Sequence, residues 1–196
     1  MGFLTPDIYR TWNFRQKITT KMKIIKKIAC LGLGESIRLF SSNDFELSIG
    51  VNDIWKFHKT EVIVCLDRKN AFSNQRYETI IRSSPEAFYS QIVNWEFMPG
   101  FRKIELTHKF PITECRLDIP QLNKSYCSPF VACQIAFKYY GATEIHLFGV
   151  DLIDHPHLNF PLCTSIKSHF TNLKVALKKE GCELIVHGDG ILTALL

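Results

Sequence analysis

Apolar positions along the chain gather into short runs, each broken by a glycine, a proline or a cluster of polar residues. The clearest lie at 28–31, 61–66 and 144–148. Short apolar runs with little polar alternation are the mark of strands covered on both faces of a parallel sheet. Residues 45–51 and 182–186 predict two further strands, and 88–93 and 103–106 are weaker candidates. Helical patterns fill the gaps: 35–40, then 70–83 ending before Pro85, then 128–140, apolar on nearly every face and stopped by Gly141. A last helix is expected over 171–180, opened by Ser168-His169 and closed by Gly181. Strands alternating with helices predict an α/β, Rossmann-like domain with a mostly parallel sheet and helices on both faces. It would span 28–196, with 1–27 as a separate basic arm or helix.

The sharpest local signal is Ile28-Ala29-Cys30-Leu31-Gly32-Leu33-Gly34-Glu35-Ser36-Ile37. An apolar strand runs into two glycines and then a helix start with Ser36 as a candidate cap. Such a turn brings backbone close to a neighbour, and free N–H groups at a helix start favour an anion. Two readings fit equally: a phosphate site through Gly32, Gly34 and Ser36, or a tight strand–helix turn with no ligand. Ile37 stands where the dinucleotide fingerprint has its third glycine, and no Gly-Lys-Ser/Thr follows, which excludes a P-loop.

Polar residues recur where strands end. Asn52-Asp53 follow the second strand and suit a ribose or base, though a turn uses the same residues. Asp67-Arg68 follow the third, where Arg68 could clamp a phosphate with two parallel hydrogen bonds or simply pair with Asp67. Asp151 follows the strand at 144–148. Ser128-Pro129 open the apolar helix, with Ser128 as a second anion contact or a plain cap.

Composition narrows the class. The 196 residues are 46% hydrophobic and 22% charged, as for one globular α/β domain. No apolar run approaches the roughly 20 residues of a membrane span, and the first residues lack the apolar core of a signal peptide. Seven cysteines sit mostly in apolar stretches without CxxC or zinc spacing, which reads as reduced core thiols in a cytoplasmic protein. Asp151, Asp154, His155 and His157 gather acids and imidazoles, but a proline between the histidines does not converge them, and no metal site is expected. The net charge of +5 fits an anionic ligand. The basic residues of 1–27 are interleaved with Tyr9, Trp12 and Phe14; they suit a solvated helix face, or a contact with nucleic acid or a membrane surface.

The arrangement resembles the bacterial sialyltransferases that build lipooligosaccharides, and more widely the 6-hydroxymethylpterin pyrophosphokinase-like Rossmann proteins. The matching positions are Gly32-Leu33-Gly34-Glu35-Ser36, Asn52, Ser128-Pro129, Gly149-Val150-Asp151 and His169. Leu33, Glu35 and Pro129 stand where the sialyltransferase pattern has asparagine, proline and glycine. The resemblance implies a glycosyltransferase-like enzyme with a nucleotide-sugar donor, such as a CMP-sugar, and an unassigned acceptor. It implies His169 as the general base, a task imidazole suits because it titrates near neutral pH. Tyr126, Tyr139 and Tyr140 would be candidates for hydroxyls near a leaving phosphate. This reading requires no cofactor. The pterin-related alternative is a pyrophosphoryl transferase needing Mg2+ held by carboxylates such as Asp53, Asp67 and Asp151. A third reading is a non-catalytic nucleotide- or nucleic-acid-binding module.

Overall fold

The computed structural model describes residues 27–110, 113–153 and 160–193. The basic segment before Lys27, together with Asp154, His155 and His157, lies outside them. Seven strands form one sheet: β1 (Lys27–Leu31), β2 (Leu47–Val51), β3 (Val62–Val64), β4 (Ala87–Ser90), β5 (Phe101–Lys103), β6 (Glu144–Phe148) and β7 (Glu183–Val186). Every pairing is parallel, in the order β5-β4-β3-β2-β1-β6-β7. The fold is therefore α/β and Rossmann-like. The chain steps outward from β1 to β5, crosses back to place β6 beside β1, and continues to β7. That reversal makes the carboxyl ends of β1 and β6 the switch point, where ligands bind in such sheets.

The strands lack alternation because both faces are covered. Ile28 and Cys30 of β1 join a core with α2 (Ser128–Tyr140) and α3 (Phe160–Lys179). Ala29 and Leu31 join the opposite core with Trp95, Phe88 and Ile80, the last from α1 (Asn74–Ile81). Helix α2 is buried from Pro129 to Ala136 and packs across β1, β2, β3 and β6. Its Gln134 is fully buried. Its Oε1 accepts from Asn123 N and Nδ2 at 2.7 and 2.8 Å, and its Nε2 donates to Asn123 O at 2.9 Å. All seven cysteines are free and buried, as the apolar stretches predict.

Several elements differ from the sequence reading. Helix α3 starts at Phe160 rather than 171, so His169 is the tenth of its twenty residues and does not open it. Pro161 is tolerated in a first turn, and Ile166, Phe170, Leu173 and Leu177, all buried, form one helical stripe. The helix expected over 70–83 is a 3-10 turn, Lys69–Ala71, followed by the shorter α1. That over 35–40 is a 3-10 turn, Glu35–Leu39. The strand candidates at 88–93 and 103–106 shift to β4 and β5, with a 3-10 turn at Val93–Trp95 between them.

Candidate functional site at the carboxyl rim of the sheet

The glycine turn after β1 is bonded tightly to the loop after β6. Gly32 N donates to Phe148 O and Gly34 N to Gly149 O, both at 2.8 Å. Ser36 N donates to Asp151 Oδ2 at 2.9 Å, and Gly149 N donates to Ser36 Oγ at 2.8 Å. The glycines are required by this approach: a Cβ on Gly32 would lie 2.2 Å from Gly149 O, and one on Gly34 would lie 2.4 Å from Asp151 Oδ2. Ser36 does not cap the 3-10 turn, because Gly34 holds the N-cap position and the Ser36 hydroxyl is used across the junction. Three N–H groups that a phosphate would need are thus spent within the chain. The Asp151 carboxylate occupies the anion position at the turn, and a phosphate brought there would meet its charge. The loop after β7 closes the junction, with Ile191 N donating to Asp151 O at 2.9 Å.

One strand over, Asn52 ends β2 in the left-handed region, φ 51°, with its N–H donating to Val64 O at 3.1 Å. Asparagine tolerates this conformation better than most residues. Its Oδ1 is buried and, among the described residues, without a hydrogen-bond partner. An unmet buried acceptor costs about 1–3 kcal/mol. The neighbouring Asp53 is satisfied: it is 4% exposed, and its Oδ1 accepts from Arg76 Nε at 2.9 Å and Nη2 at 2.6 Å. Arg76 comes from α1, and no spacing in the sequence signals the pairing.

Beyond β3 the chain bends at Asp67, whose carbonyl accepts from Trp95 Nε1 at 2.9 Å. Asp67 and Arg68 form no salt bridge with one another among the described residues. Arg68 and Lys69 instead line an open cleft of about 380 Å³. Lys69, which sequence reasoning passed over, places its Nζ 4.5 Å from the centre of the Tyr77 ring.

Helices α2 and α3 lead into β6 and β7, so their first turns lie at this same rim. Cys127, not Ser128, holds the N-cap of α2; Ser128 is its first helical residue and makes no side-chain cap. His169 is 1% exposed. Its Nδ1 lies 2.8 Å from Ser125 Oγ, and its Nε2 lies 3.4 Å from Ser165 Oγ. The rings of Phe110 and Tyr126 stack on each other at 4.0 Å and lie nearly parallel to the imidazole, 5.9 and 6.3 Å from it. Tyr126 is the outer ring, 55% exposed. Tyr139 and Tyr140 sit at the far end of α2 against Tyr89, about 18 Å along the helix axis from Ser128.

Burial lowers the His169 pKa; burial and then the nearby His146, 3.0 Å away, lower that of His187. A group that protonates less readily when folded leaves the unfolded chain holding more protons as pH falls. Stability from these two groups is therefore full above the ordinary histidine value of about 6.5 and declines below it, levelling off under the folded-state values. Urea unfolding between pH 8 and pH 5 is expected to show this loss, and His169→Gln to flatten it; a profile unchanged by that substitution would contradict the assignment.

The rim thus brings Asn52, Asp53, Asp67 and Arg68 onto adjacent strand ends, and ties Gly32, Gly34, Ser36 and Asp151 into one closed junction. No family model, curated protein or solved structure matches the chain. Its chemistry is read from its own geometry. Among the described residues no group of three or more His, Cys, Asp or Glu side chains is placed to hold a metal, and no helix is long and apolar enough to cross a membrane. Ser125, which positions His169, lies inside a polar stretch that points to a loop and gives no hint of the pairing.

Proposed function

We propose that the protein is a glycosyltransferase-like enzyme that binds a nucleotide-activated sugar at the carboxyl rim, with His169 as general base. The single observation that carries this reading is the orphaned Oδ1 of Asn52. An acceptor buried without a partner at a strand tip beside the switch point calls for an N–H or O–H donor, as a base or ribose supplies. Arg68 follows β3, the strand that pairs with β2, and a guanidinium there is suited to phosphate.

His169 supports the chemistry in its protonation state: burial favours neutral imidazole, the form able to accept a proton. Ser125 fixes the ring through Nδ1. In the reaction, Nε2 takes the proton of an acceptor hydroxyl as its oxygen bonds to the sugar's anomeric carbon. The bond from that carbon to the phosphate oxygen breaks, and its electron pair leaves with the nucleotide. Because the ring is buried, the acceptor reaches it only after the Phe110–Tyr126 pair moves aside.

The pyrophosphoryl-transfer alternative needs free carboxylates for Mg2+. Asp53 is held by Arg76 and Asp151 by Ser36, which leaves Asp67 alone of the three candidates. A nucleic-acid or membrane role through the segment 1–27 rests on its charge pattern.

Calorimetric titration with CMP, CDP, UDP and GDP tests the reading, with Asn52→Gly as the probe variant. Glycine keeps the positive φ and removes the amide. Nucleotide affinity is expected to fall by about tenfold or more in Asn52→Gly, while stability holds or rises because the orphaned acceptor is gone. If no nucleotide binds below millimolar concentration, or Asn52→Gly binds as the wild type does, the reading is wrong.

A further inference from the structure

We infer that the cleft beyond β3 is a pyrophosphate subsite, so that the activated donor carries a nucleoside diphosphate rather than a monophosphate. This rests on the nucleotide reading of Asn52 and adds to it the class of donor.

The cleft's lining is one-sided in charge. Arg68 and Lys69 supply two cations; Asn70, Asn74 and Asn94 supply amide donors; and no carboxylate lines it among the described residues. Asp67 precedes Arg68 in the chain but does not line the cleft; Asp53 is already neutralised by Arg76, and the Arg76 guanidinium lies over the ring of Phe72, which forms part of the cleft wall. Lys69 is steadied over Tyr77 and has no carboxylate partner among the described residues; neither has Arg68. Two adjacent unpaired cations suit two linked phosphates better than one, since a single monoester is met by one bidentate guanidinium.

The helix start beside the cleft points the same way. Asn74 opens α1, and Ser73 before it makes no side-chain cap. The first-turn N–H groups of α1 therefore receive no cap from the Ser73 side chain. At about 380 Å³ the cleft falls within the range of small-ligand sites. The glycine turn after β1 cannot serve the second phosphate, because its amides are bonded to the β6 loop and Asp151 stands there. A donor anchored at Asn52 accordingly extends its phosphates outward over β3, toward Arg68 and Lys69.

The full chain, the Arg68→Ala/Lys69→Ala double variant and Asn52→Gly are titrated calorimetrically with CMP, CDP, UDP, GDP and inorganic pyrophosphate in metal-free buffer. Arg68 and Lys69 are exposed, so unfolding midpoints of the double variant are expected to match the wild type. CDP is expected to bind at least about tenfold more tightly than CMP to the wild type, and the double variant to lose this preference. Pyrophosphate is expected to compete with CDP in the wild type. Equal affinity for CMP and CDP, or a preference that survives in the double variant, overturns the inference and leaves the Asn52 reading intact. Absence of binding by every nucleotide overturns both.

Discussion

Gly32→Ala is expected to destabilise the fold by about 3 kcal/mol, a drop in Tm of roughly 6–12 °C for a chain of this size. The added methyl would lie 2.2 Å from the Gly149 carbonyl oxygen and 2.8 Å from Val150 Cγ2. Neither neighbour yields easily. Gly149 is bonded through its N–H to Ser36 and through its oxygen to Gly34, and both loops are anchored by the adjacent β1 and β6. Relief therefore means prying two central strands apart at their carboxyl ends. Gly34→Ala is expected to cost less, because its closest neighbour is a carboxylate oxygen of Asp151 at the end of a side chain, which can swing away after losing its bond to Ser36 N. Urea unfolding of the two variants checks the ordering. If Gly32→Ala proves the milder, the junction is looser than these distances require.

Trp95→Ala is expected to cost about 3–5 kcal/mol, the range for removing a large buried aromatic ring. Trp95 is 2% exposed and packs against the rings of Phe72, Tyr77 and Phe88. Trp95→Phe keeps most of that packing but leaves the Asp67 carbonyl without its donor, for a cost of about 1 kcal/mol. The consequence reaches the rim: Phe72 and Tyr77 both line the cleft and both lean on the indole. Ligand affinity at the cleft is expected to weaken in Trp95→Ala beyond what the loss of folded protein explains, and to be nearly kept in Trp95→Phe. Denaturant unfolding measured beside pyrophosphate titration separates the two effects. Equal weakening in both variants would point to the Asp67 hydrogen bond and not to the wall.

Much of this architecture is legible in single residues of the sequence. The apolar run at 28–31 and the segment 144–148 announce strands covered on both sides, and they pair as neighbours in the sheet. Gly141 stops α2 at φ 68°, the conformation glycine adopts at least cost. Asn52 was readable as a strand-tip polar residue; that its Oδ1 is buried and unmet was not. Helix α3 was readable in principle, since its apolar stripe begins well before 171, but Pro161 obscured its start. Short elements fared worst: β5 has only three residues, too few for periodicity to register.

The sequence by itself determined the layered α/β class and the rim where polar residues collect, because those follow from local periodicity and from which positions shun water. Only the tertiary structure decided what each polar residue faces. Ser36 and Asp151 are 115 residues apart, and they meet because the chain reverses and sets β6 beside β1. Arg76 reaches Asp53 because the turn after β2 packs against α1, and Lys69 joins Arg68 in a cleft because Trp95 holds the bend at Asp67. Strand order is a property of the whole packed chain, and no local pattern records it. For that reason the glycine turn, the most prominent motif in the sequence, binds its own loop, while the open cationic cleft lies two strands away.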